Sequence, residues 1–370
     1  MAGIVIAGGG QAGFALAAKL RNLGFDGPVT LFAQENEPPY QRPPLSKAYL
    51  LGDMEKERLY FRPRSFYEEQ NITLHLDTPV LEIDPGAKTI ATKSGDMSYD
   101  HLALTTGSVA RRLPERIGGD LKGVYVVRTL GDVDAMANNM RKGAKAVIIG
   151  GGYIGLEAAA VAAKSGLDVT LIEMAERILQ RVAAPETSDY FRALHASKGV
   201  KIIEGMGVAA VQGRDRVERV LLSDGTSIEA SFVVAGIGIM PADALAMAAG
   251  LACDNGIKVN ALGQTSDPSI WAAGDCASLP YRGDRIRLES VQNAIDQAEA
   301  VAANMLGADT AYVPKPWFWS DQYDIKLQIA GLNTGYDSIA IRDIDGARSH
   351  WYYQGDRLLA VDAMNAPRDY

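Results

Sequence analysis

Two segments of the chain share one succession of apolar and polar positions. Residues 4–13 and 146–155 each begin with a short β-branched run and pass through a glycine-rich turn into an alanine-rich stretch. A short apolar run bounded by glycine predicts a buried strand, and the alanine-rich stretch predicts a helix. Further apolar runs at 29–33 and 168–172 complete two β-α-β units. The pattern therefore predicts an internal structural repeat.

Elsewhere the pattern has a period of two. Residues 79–93 and 97–106 alternate around an Asp-Pro-Gly turn, which predicts an antiparallel meander. From residue 316 the chain becomes aromatic, and then IKLQIAGL, SIAIRD, HWYYQ and RLLAVDAM alternate, which predicts a small antiparallel C-terminal domain. Residues 270–274 predict another buried strand, and 289–306 predict a helix with one apolar face.

The turn of each repeat has the spacing GxGxxG. Its glycines are Gly8, Gly10 and Gly13 in the first unit and Gly150, Gly152 and Gly155 in the second. The first glycine allows a tight turn, the second lets the backbone approach a pyrophosphate, and the third allows close packing of helix on strand. The helix N-terminus offers N–H groups and a partial positive charge to the phosphates. Because both motifs follow a predicted strand and open a predicted helix, we predict two dinucleotide sites.

An acidic residue follows the second strand of each unit, where it can bond a ribose hydroxyl. These residues are Glu35, next to Gln34, and Glu173. Two sites suggest two dinucleotides, a flavin held permanently and a nicotinamide nucleotide that visits. Glu173 would repel a 2′-phosphate, so we expect NAD(H) rather than NADP(H). Arg177 lies nearby in the sequence, and we interpret it as facing solvent.

Composition excludes several classes of function. The net charge of −8 disfavours general binding to nucleic acid, which depends on Lys and Arg. Two cysteines, no CxxC and four scattered histidines argue against a disulfide scaffold and against a metal site. No run of 18 apolar residues indicates a membrane span, and the N-terminal segment has no basic leader. We therefore predict a cytoplasmic protein.

The order of motifs resembles the FAD-dependent ferredoxin reductases. GxGxxG, RPPLSK, TTGS, a second GxGxxG, AGD, SVQNA and a tryptophan-rich C-terminal domain follow one another from Ile4 to Tyr370. The most specific parts are PYQRPPLSKAYL at 39–50 and AAGDCA at 272–277. Family members usually continue past the APRDY segment with a helical tail, so it stays open whether the C-terminal domain is complete at Tyr370.

The resemblance implies a glutathione-reductase type of fold. The expected class is α/β, with two Rossmann-like dinucleotide-binding domains and a small α+β C-terminal domain. The expected boundaries are an FAD-binding domain at 1–109 and 237–315, an NAD-binding domain at 110–236 and a C-terminal interface domain at 316–370.

Disulfide reductases of this fold carry redox cysteines after the first β-α-β unit, whereas residues 40–47 contain none. Electrons must therefore leave the flavin for a separate acceptor. The resemblance supplies that acceptor, a 2Fe-2S ferredoxin that feeds a haem-thiolate monooxygenase or a dioxygenase. The implied activity is the transfer of a hydride from NADH to FAD, followed by release of single electrons to two ferredoxins.

The resemblance also implies the site residues. Lys47 lies beside the flavin ring, where an ammonium group can stabilise the reduced ring, and Glu157 faces the nicotinamide and pairs with Lys47. Both are expected to be catalytic. The other residues expected at FAD are Gly8, Gly10, Ala12, Gly13, Gln34, Glu35, Arg42, Pro43, Val80, Thr106, Gly107, Arg128, Gly274, Asp275, Val291 and Trp319. Those expected at NAD are Gly150, Gly152, Tyr153, Ile154, Gly155, Glu157, Glu173, Gly236 and Gly238.

Several of these residues have a structural alternative. Lys47 can be a solvated loop lysine, and Glu157 a first-turn residue that compensates the helix dipole. Asp275 can be a helix N-cap, and Trp319 a core aromatic. Cys276 is next to Asp275, but with no partner thiol or basic neighbour we interpret it as structural.

Two other functions stay open. The motifs do not separate a ferredoxin reductase from an NADH-dependent reductase of a quinone or monodehydroascorbate. A redox interaction protein like apoptosis-inducing factor is less compatible with this compact chain. A transient acidic ferredoxin would need a local basic surface, and residues 42–64 and 281–289 have an excess of positive charge. The oligomeric state, a monomer or a homodimer, is open.

Overall fold

The computed structural model describes residues 3–370, which divide into two compact units. Unit 1 comprises the chain up to Gln41, Lys56–Val109 and Met240–Trp317. Unit 2 comprises Arg42–Glu55, Ala110–Ile239 and Phe318–Tyr370.

Both units combine helices and strands. The helices are α1 (Gln11–Asn22), α2 (Arg64–Glu69), α3 (Leu130–Ala137), α4 (Tyr153–Lys164), α5 (Pro185–Ser197), α6 (Ala244–Ala248) and α7 (Val291–Met305). Short 3-10 helices occupy Pro43–Ser46, Lys56–Arg58 and Glu115–Ile117. The strands are β1 (Gly3–Ala7), β2 (Val29–Phe32), β3 (Ile72–His75), β4 (Val80–Asp84), β5 (Thr89–Thr92), β6 (Gly95–Leu104), β7 (Ser108–Ala110), β8 (Val124–Tyr125), β9 (Lys145–Ile149), β10 (Asp168–Ile172), β11 (Lys201–Ile203), β12 (Val208–Gln212), β13 (Arg219–Leu222), β14 (Ser227–Glu229), β15 (Phe232–Ala235), β16 (Ile239–Pro241), β17 (Ile257–Lys258), β18 (Ile270–Ala272), β19 (Ala277–Tyr281), β20 (Asp284–Ile286), β21 (Trp317–Gln322), β22 (Ile325–Gly331), β23 (Ser338–Ile344), β24 (Ala347–Gln354) and β25 (Arg357–Met364).

The main sheet of unit 1 is built around the first β-α-β unit. Its order is β3-β2-β1-β6-β5-β4, and β18 also pairs with β6. Ile4 and Ile6 of β1 belong to the core that includes α1 and α7, whereas Val5 and Ala7 belong to the core on the other face. This alternation follows from the period of two in a strand, and both faces are apolar because both are covered. The predicted meander is confirmed as β4, β5 and β6.

Unit 2 repeats the first arrangement around β9, α4 and β10. Its parallel sheet has the order β11-β10-β9-β15-β8. Alanines and Leu156 of α4 are buried, so this helix lies close to the sheet. A smaller antiparallel sheet consists of β12, β13 and β14. The predicted internal repeat is therefore present.

The C-terminal region forms one five-stranded sheet with the order β21-β22-β25-β24-β23. The four alternating segments of the sequence are β22 to β25, and their pairing is antiparallel, as predicted. The edge strand β21 was not predicted. The expected α component is wrong, because residues 317–370 contain strands and turns but no helix.

The segment Arg42–Glu55 lies in unit 2, apart from most of the residues expected to form the FAD-binding domain with it. Its bonds to unit 2 include those of Arg42 Nη1 to the Arg128 carbonyl oxygen at 2.7 Å and of the Tyr49 hydroxyl to Asp134 at 2.7 Å. The C-terminal sheet, from Phe318 onward, also belongs to unit 2. The division into three domains stays a prediction.

Candidate active site

The first glycine turn has the shape that a pyrophosphate needs. Gly8 has φ +127°, and a Cβ there would lie 2.2 Å from the Thr105 carbonyl oxygen. A Cβ on Gly13 would lie 1.9 Å from the Gly8 carbonyl oxygen. A Cβ on Gly10 would meet nothing within 4 Å, and no side chain caps α1 at this residue. The turn therefore leaves open space at a helix N-terminus, which fits a diphosphate.

The second turn has the same geometry. Gly150 has φ +106°, and a Cβ there would lie 2.3 Å from the Gly236 carbonyl oxygen. A Cβ on Gly155 would lie 2.0 Å from the Gly150 carbonyl oxygen, whereas Gly152 again faces open space. Gly152 precedes α4 without a side-chain cap, and Tyr153 and Ile154 are the first residues of the helix. Both turns therefore fit dinucleotides.

The two acidic residues lie just beyond the expected strands. Glu35 follows β2 and accepts a hydrogen bond of 2.6 Å from the Tyr40 hydroxyl. Glu173 follows β10, and its two oxygens accept from the backbone N–H groups of Gly151 at 2.6 Å and Ala175 at 2.7 Å. The backbone thus holds the Glu173 carboxylate at the rim of the second turn.

The interpretation of Arg177 as a solvent-facing residue is wrong. Its side chain is half-buried, and its guanidinium donates to Ser188 Oγ and to the Ala183 carbonyl oxygen. These partners lie at the start of α5 and just before it. The positive charge closest to Glu173 in the sequence is therefore bound elsewhere.

Asp275 lies on the turn after β18. Its Oδ2 accepts a hydrogen bond of 2.8 Å from Ser108 Oγ. The N-cap alternative is wrong, because no helix begins here, and α7 starts at Val291 with Ser290 as its cap. Gly274 has φ +83°, and a Cβ there would lie 3.0 Å from the Cβ of Ala12. The AGD turn and the first glycine turn are therefore packed together within unit 1.

The turn after β6 is fixed by Thr106 and Gly107. Thr106 Oγ1 donates to the Ala242 carbonyl oxygen at 2.6 Å, and the Ala242 N–H donates to the Gly107 carbonyl oxygen at 2.9 Å. Gly107 has φ +70°, a value that favours glycine. Both residues and Ala242 belong to unit 1.

The predicted ion pair between Lys47 and Glu157 is present. Lys47 Nζ lies 2.7 Å from Glu157 Oε2, and the side chains are 20% and 2% exposed. The 3-10 helix Pro43–Ser46 ends directly before Lys47. Glu157 is the fifth residue of α4, so it lies beyond the first turn. The two structural alternatives, a solvated lysine and a first-turn glutamate, are therefore wrong.

Two serines that the sequence analysis did not identify complete the surroundings of Glu157. Ser46 Oγ donates to Oε2 at 2.7 Å, and Ser320 Oγ donates to Oε1 at 2.7 Å. A buried carboxylate is costly unless it is paired and hydrogen-bonded, and here both oxygens have donors. Ser46 lies inside the RPPLSK motif, so its place beside Lys47 was a usable signal. Ser320 follows Trp319 in a segment that offered no such signal.

The remaining site residues divide between the units. In unit 1 lie Gly8, Gly10, Ala12, Gly13, Gln34, Glu35, Val80, Thr106, Gly107, Gly274, Asp275 and Val291. In unit 2 lie Arg42, Pro43, Lys47, Arg128, Trp319 and every residue expected at NAD, including Gly236 and Gly238. The second glycine turn, Glu173 and the Lys47–Glu157 pair thus share one compact unit.

Neither cysteine has the character of a redox centre. Cys276 is fully buried, and burial raises the pKa of its thiol. Burial also raises the pKa of the Cys253 thiol. In residues 3–370 no cluster of three or more His, Cys, Asp or Glu side chains could hold a metal ion. No helix in the same range has the length and apolar character to cross a bilayer.

Comparison with known proteins defines the class. Residues 2–298 match the pyridine nucleotide-disulphide oxidoreductases, and residues 317–370 match the reductase C-terminal domain. The chain therefore belongs to the pyridine nucleotide-disulphide oxidoreductase family. Rhodocoxin reductase of Rhodococcus erythropolis is 44% identical over 99% of this chain and 87% of that protein. Putidaredoxin reductase of Pseudomonas putida is 42% identical over 99% of this chain and 89% of that protein.

Comparison with solved structures points to the same family as comparison with the sequences of known proteins. The covalent putidaredoxin reductase–putidaredoxin complex superimposes with a TM-score of 0.96 at 41% identity, covering 100% of this chain and 91% of that one. The ferredoxin reductase for the CYP199A2 system of Rhodopseudomonas palustris gives 0.95 at 40% identity, with coverages of 100% and 92%. These findings confirm the predicted family resemblance, the fold class and a flavoprotein oxidoreductase with FAD and a nicotinamide nucleotide.

Proposed function

We propose that this chain is an NADH-dependent, FAD-containing reductase of a 2Fe-2S ferredoxin, which in turn feeds an oxygenase. The observation that carries the proposal is the ion pair of the half-buried Lys47 with the buried Glu157, in the unit that holds the second dinucleotide turn. Full-length similarity to reductases of rhodocoxin and putidaredoxin supports the acceptor. Residues 40–47 contain no cysteine that could take electrons from the flavin.

The residues divide the work between two cofactors. The first glycine turn, Glu35 and Asp275 would hold FAD, and the second glycine turn with Glu173 would hold the nicotinamide nucleotide. FAD, when bound, accepts a hydride and releases electrons singly, so the protein has to position and stabilise charge. Lys47 would supply the positive charge that stabilises the reduced flavin, and Glu157 holds the ammonium group in place.

The preference for NADH rests on Glu173. Both of its oxygens are held by backbone N–H groups, so the carboxylate cannot turn away from a second negative charge. Two like charges about 4 Å apart repel by about 1 kcal/mol in bulk water and by roughly 4 kcal/mol at an effective dielectric constant near 20, a range that includes a tenfold discrimination. Arg177 does not offset this repulsion, because its guanidinium is bound at the start of α5.

An acidic ferredoxin would dock transiently on exposed arginines of unit 1. In segment 42–64, Arg42 and Lys47 have partners within unit 2, and Lys56 pairs with Glu37. The exposed cations that remain there are Arg58, Arg62 and Arg64. In segment 281–289, Arg287 pairs with Glu289 and Arg285 donates to backbone carbonyl groups, which leaves Arg282 as the single exposed arginine against the cluster of three in segment 42–64. We therefore place the docking surface on Arg58, Arg62 and Arg64.

Stopped-flow kinetics tests the acceptor and the surface together. The purified holoprotein, reduced by NADH, should reduce a 2Fe-2S ferredoxin, and the rate should fall as salt rises while flavin reduction by NADH changes little. Arg62→Glu with Arg64→Glu should raise the KM for ferredoxin, whereas Arg214→Glu, an exposed arginine of unit 2, should not. A faster reaction with quinone or monodehydroascorbate than with any ferredoxin would favour the small-molecule alternative. A salt-independent ferredoxin rate would place the docking surface elsewhere.

A cytoplasmic location remains part of the proposal, because Cys253 and Cys276 are unpaired, which suits a reducing compartment. Light scattering of the holoprotein will distinguish a monomer from a homodimer.

A further inference from the structure

A buried row of polar side chains connects the Glu157 carboxylate with the C-terminal sheet and helix α5. Ser320 Oγ donates to Glu157 Oε1 at 2.7 Å, and Gln322 Nε2 donates to Ser320 Oγ at 3.2 Å. Gln322 Oε1 lies 2.8 Å from His195 Nε2, and the Tyr323 hydroxyl lies 3.2 Å from His195 Nδ1. Ser320, Gln322 and His195 are completely buried, and all five residues belong to unit 2.

The donors and acceptors determine the direction of each bond. Glu157, paired with Lys47, has only acceptor oxygens, so the single proton of Ser320 points toward it. Ser320 Oγ then accepts from Gln322, which directs the amide oxygen of Gln322 toward His195. That oxygen requires a donor, so His195 carries its proton on Nε2, and its Nδ1 accepts from Tyr323. Burial lowers the pKa of His195, in agreement with a neutral ring.

We propose that Ser320 and Gln322 are positioning residues for Glu157 and that His195 holds them in orientation. The inference rests on the proposed function, in which Glu157 and Lys47 act where the flavin is reduced. Ser320 binds Oε1 and thereby leaves Oε2 to Lys47 and Ser46. The carboxylate cannot rotate about its axis without breaking these three bonds. The C-terminal sheet, which has no dinucleotide turn, thus contributes to the reduction site through β21.

The row orients the carboxylate and does not conduct protons to it. A proton relay through Gln322 would require the amide to accept a proton on one side and release one on the other. Amides do not titrate near neutral pH, and each hydrogen bond of the row is donated in the direction of Glu157. The row therefore acts as a fixed set of dipoles that faces one negative charge.

Three variants separate orientation from general stability. Ser320→Ala removes the donor to Oε1, and Ser320→Thr keeps a hydroxyl group. Gln322→Glu keeps the size of the side chain but replaces the N–H donor with an acceptor. Ser349→Ala is the matched control, because Ser349 is a completely buried serine of the same sheet that bonds Asp369 and lies outside the row.

The first readout is single-turnover reduction of the bound flavin by NADH. Ser320→Ala should lower the limiting rate constant by about tenfold, the usual effect of losing a hydrogen bond to a charged group. Gln322→Glu should have a similar effect, because its carboxylate would compete with Glu157 for the single proton of Ser320. The apparent Kd for NADH should change by less than about twofold, because uniform binding is not affected. Ser320→Thr should recover most of the rate, and Ser349→Ala should behave as the unmodified protein. An unchanged rate in Ser320→Ala, or an equal loss in Ser349→Ala, would overturn the inference.

The second readout does not depend on activity. With ¹⁵N-labelled histidine, the resting protein should show His195 as the Nε2–H tautomer, and Ser320→Ala should introduce the Nδ1–H tautomer because the Gln322 amide is then free to turn. An Nδ1–H tautomer of His195 in the unmodified protein would refute the proposed directions of the hydrogen bonds in the row. If NADH reduces the flavin but the flavin passes no electrons to ferredoxin, the proposed function is contradicted. The inference about Ser320 and Gln322 would then still hold. If no nicotinamide nucleotide reduces the flavin, the proposed function is contradicted. The tautomer of His195 would still test whether the hydrogen bonds of the row have the proposed directions.

Discussion

Replacement of Asp362 by asparagine should stabilise the protein, and the gain should grow as the pH rises. Asp362 is a residue of β25 with 1% exposure. Its Oδ2 accepts hydrogen bonds from Thr187 Oγ1 at 2.8 Å and from the Tyr352 hydroxyl. Among the ion pairs of residues 3–370, none involves Asp362. The carboxylate is therefore buried with neutral donors only, a costly environment for a negative charge.

The neighbouring groups do not supply the missing positive charge. His350 Nδ1 lies 2.7 Å from Thr187 Oγ1, and Arg348 Nε donates to His350 Nε2 at 3.0 Å. Burial, together with the charge of Arg348, lowers the pKa of His350 to about 4, so this ring is neutral above pH 5. Burial raises the pKa of Tyr352, which stays protonated. Asp362 is thus the group of the cluster that titrates near neutral pH.

The size of the change in the free energy of unfolding follows from the shift in the pKa of Asp362. Burial raises the pKa of Asp362 from 3.8 to about 6, although its two hydrogen bonds act in the opposite direction. Because the folded-state pKa is above the unfolded value, the folded state binds the proton more tightly, and this stabilisation is lost as the pH rises through about 6. The full loss is about 3 kcal/mol at 1.36 kcal/mol per pH unit, of which about 1.4 kcal/mol falls between pH 5 and pH 8. Asparagine accepts both hydrogen bonds and carries no charge.

Urea unfolding at pH 5 and pH 8 tests this reasoning. The difference in the free energy of unfolding between Asp362→Asn and the unmodified protein should be larger at pH 8 by about 1.4 kcal/mol. Asp356→Asn is the control, because Asp356 is an exposed residue of the turn between β24 and β25. His350 titrates below this window and does not contribute. A gain that is equal at the two pH values, or a loss at pH 8, would refute the argument.

The remaining predictions concern the cofactors. Glu173→Ala should reduce the preference for NADH over NADPH by about tenfold in kcat/KM, because a like charge is removed from the site of the 2′-phosphate; equal use of both cofactors by the unmodified protein would contradict this. Lys47→Ala should slow flavin reduction in the stopped-flow instrument more than it weakens NADH binding, and equal losses would argue against a role of its charge in the reaction. Denaturation should release free FAD, since the sequence contains no flavin-linking His or Cys motif; flavin retained on the denatured chain would exclude this.

Much of the fold was predictable because it depends on local backbone geometry. Gly8 and Gly150 mark turns that only glycine tolerates, and β-branched runs mark the strands before them. Strand β21 was missed because its pattern is inverted. Its aromatic residues are half-buried, whereas its polar residues Ser320 and Gln322 are completely buried. A hydrophobic pattern assigns such polar positions to the surface, so the strand has no recognisable alternation.

Several site residues could not be recognised from the sequence, because the groups that they contact lie far away along the chain. The resemblance to known reductases located Lys47 and Glu157, but 110 residues separate them, and no local spacing predicts that they meet. Arg177 was misinterpreted because its partner Ser188 lies on another element. Ser320 acquires a role only through the carboxylate that it binds, and Asp362 acquires its raised pKa only through burial that its own neighbours in the chain do not indicate. Buried polar residues derive their chemistry from partners that are distant in the sequence. Periodicity and motifs therefore do not identify the role of such residues, and a structure is needed to find it.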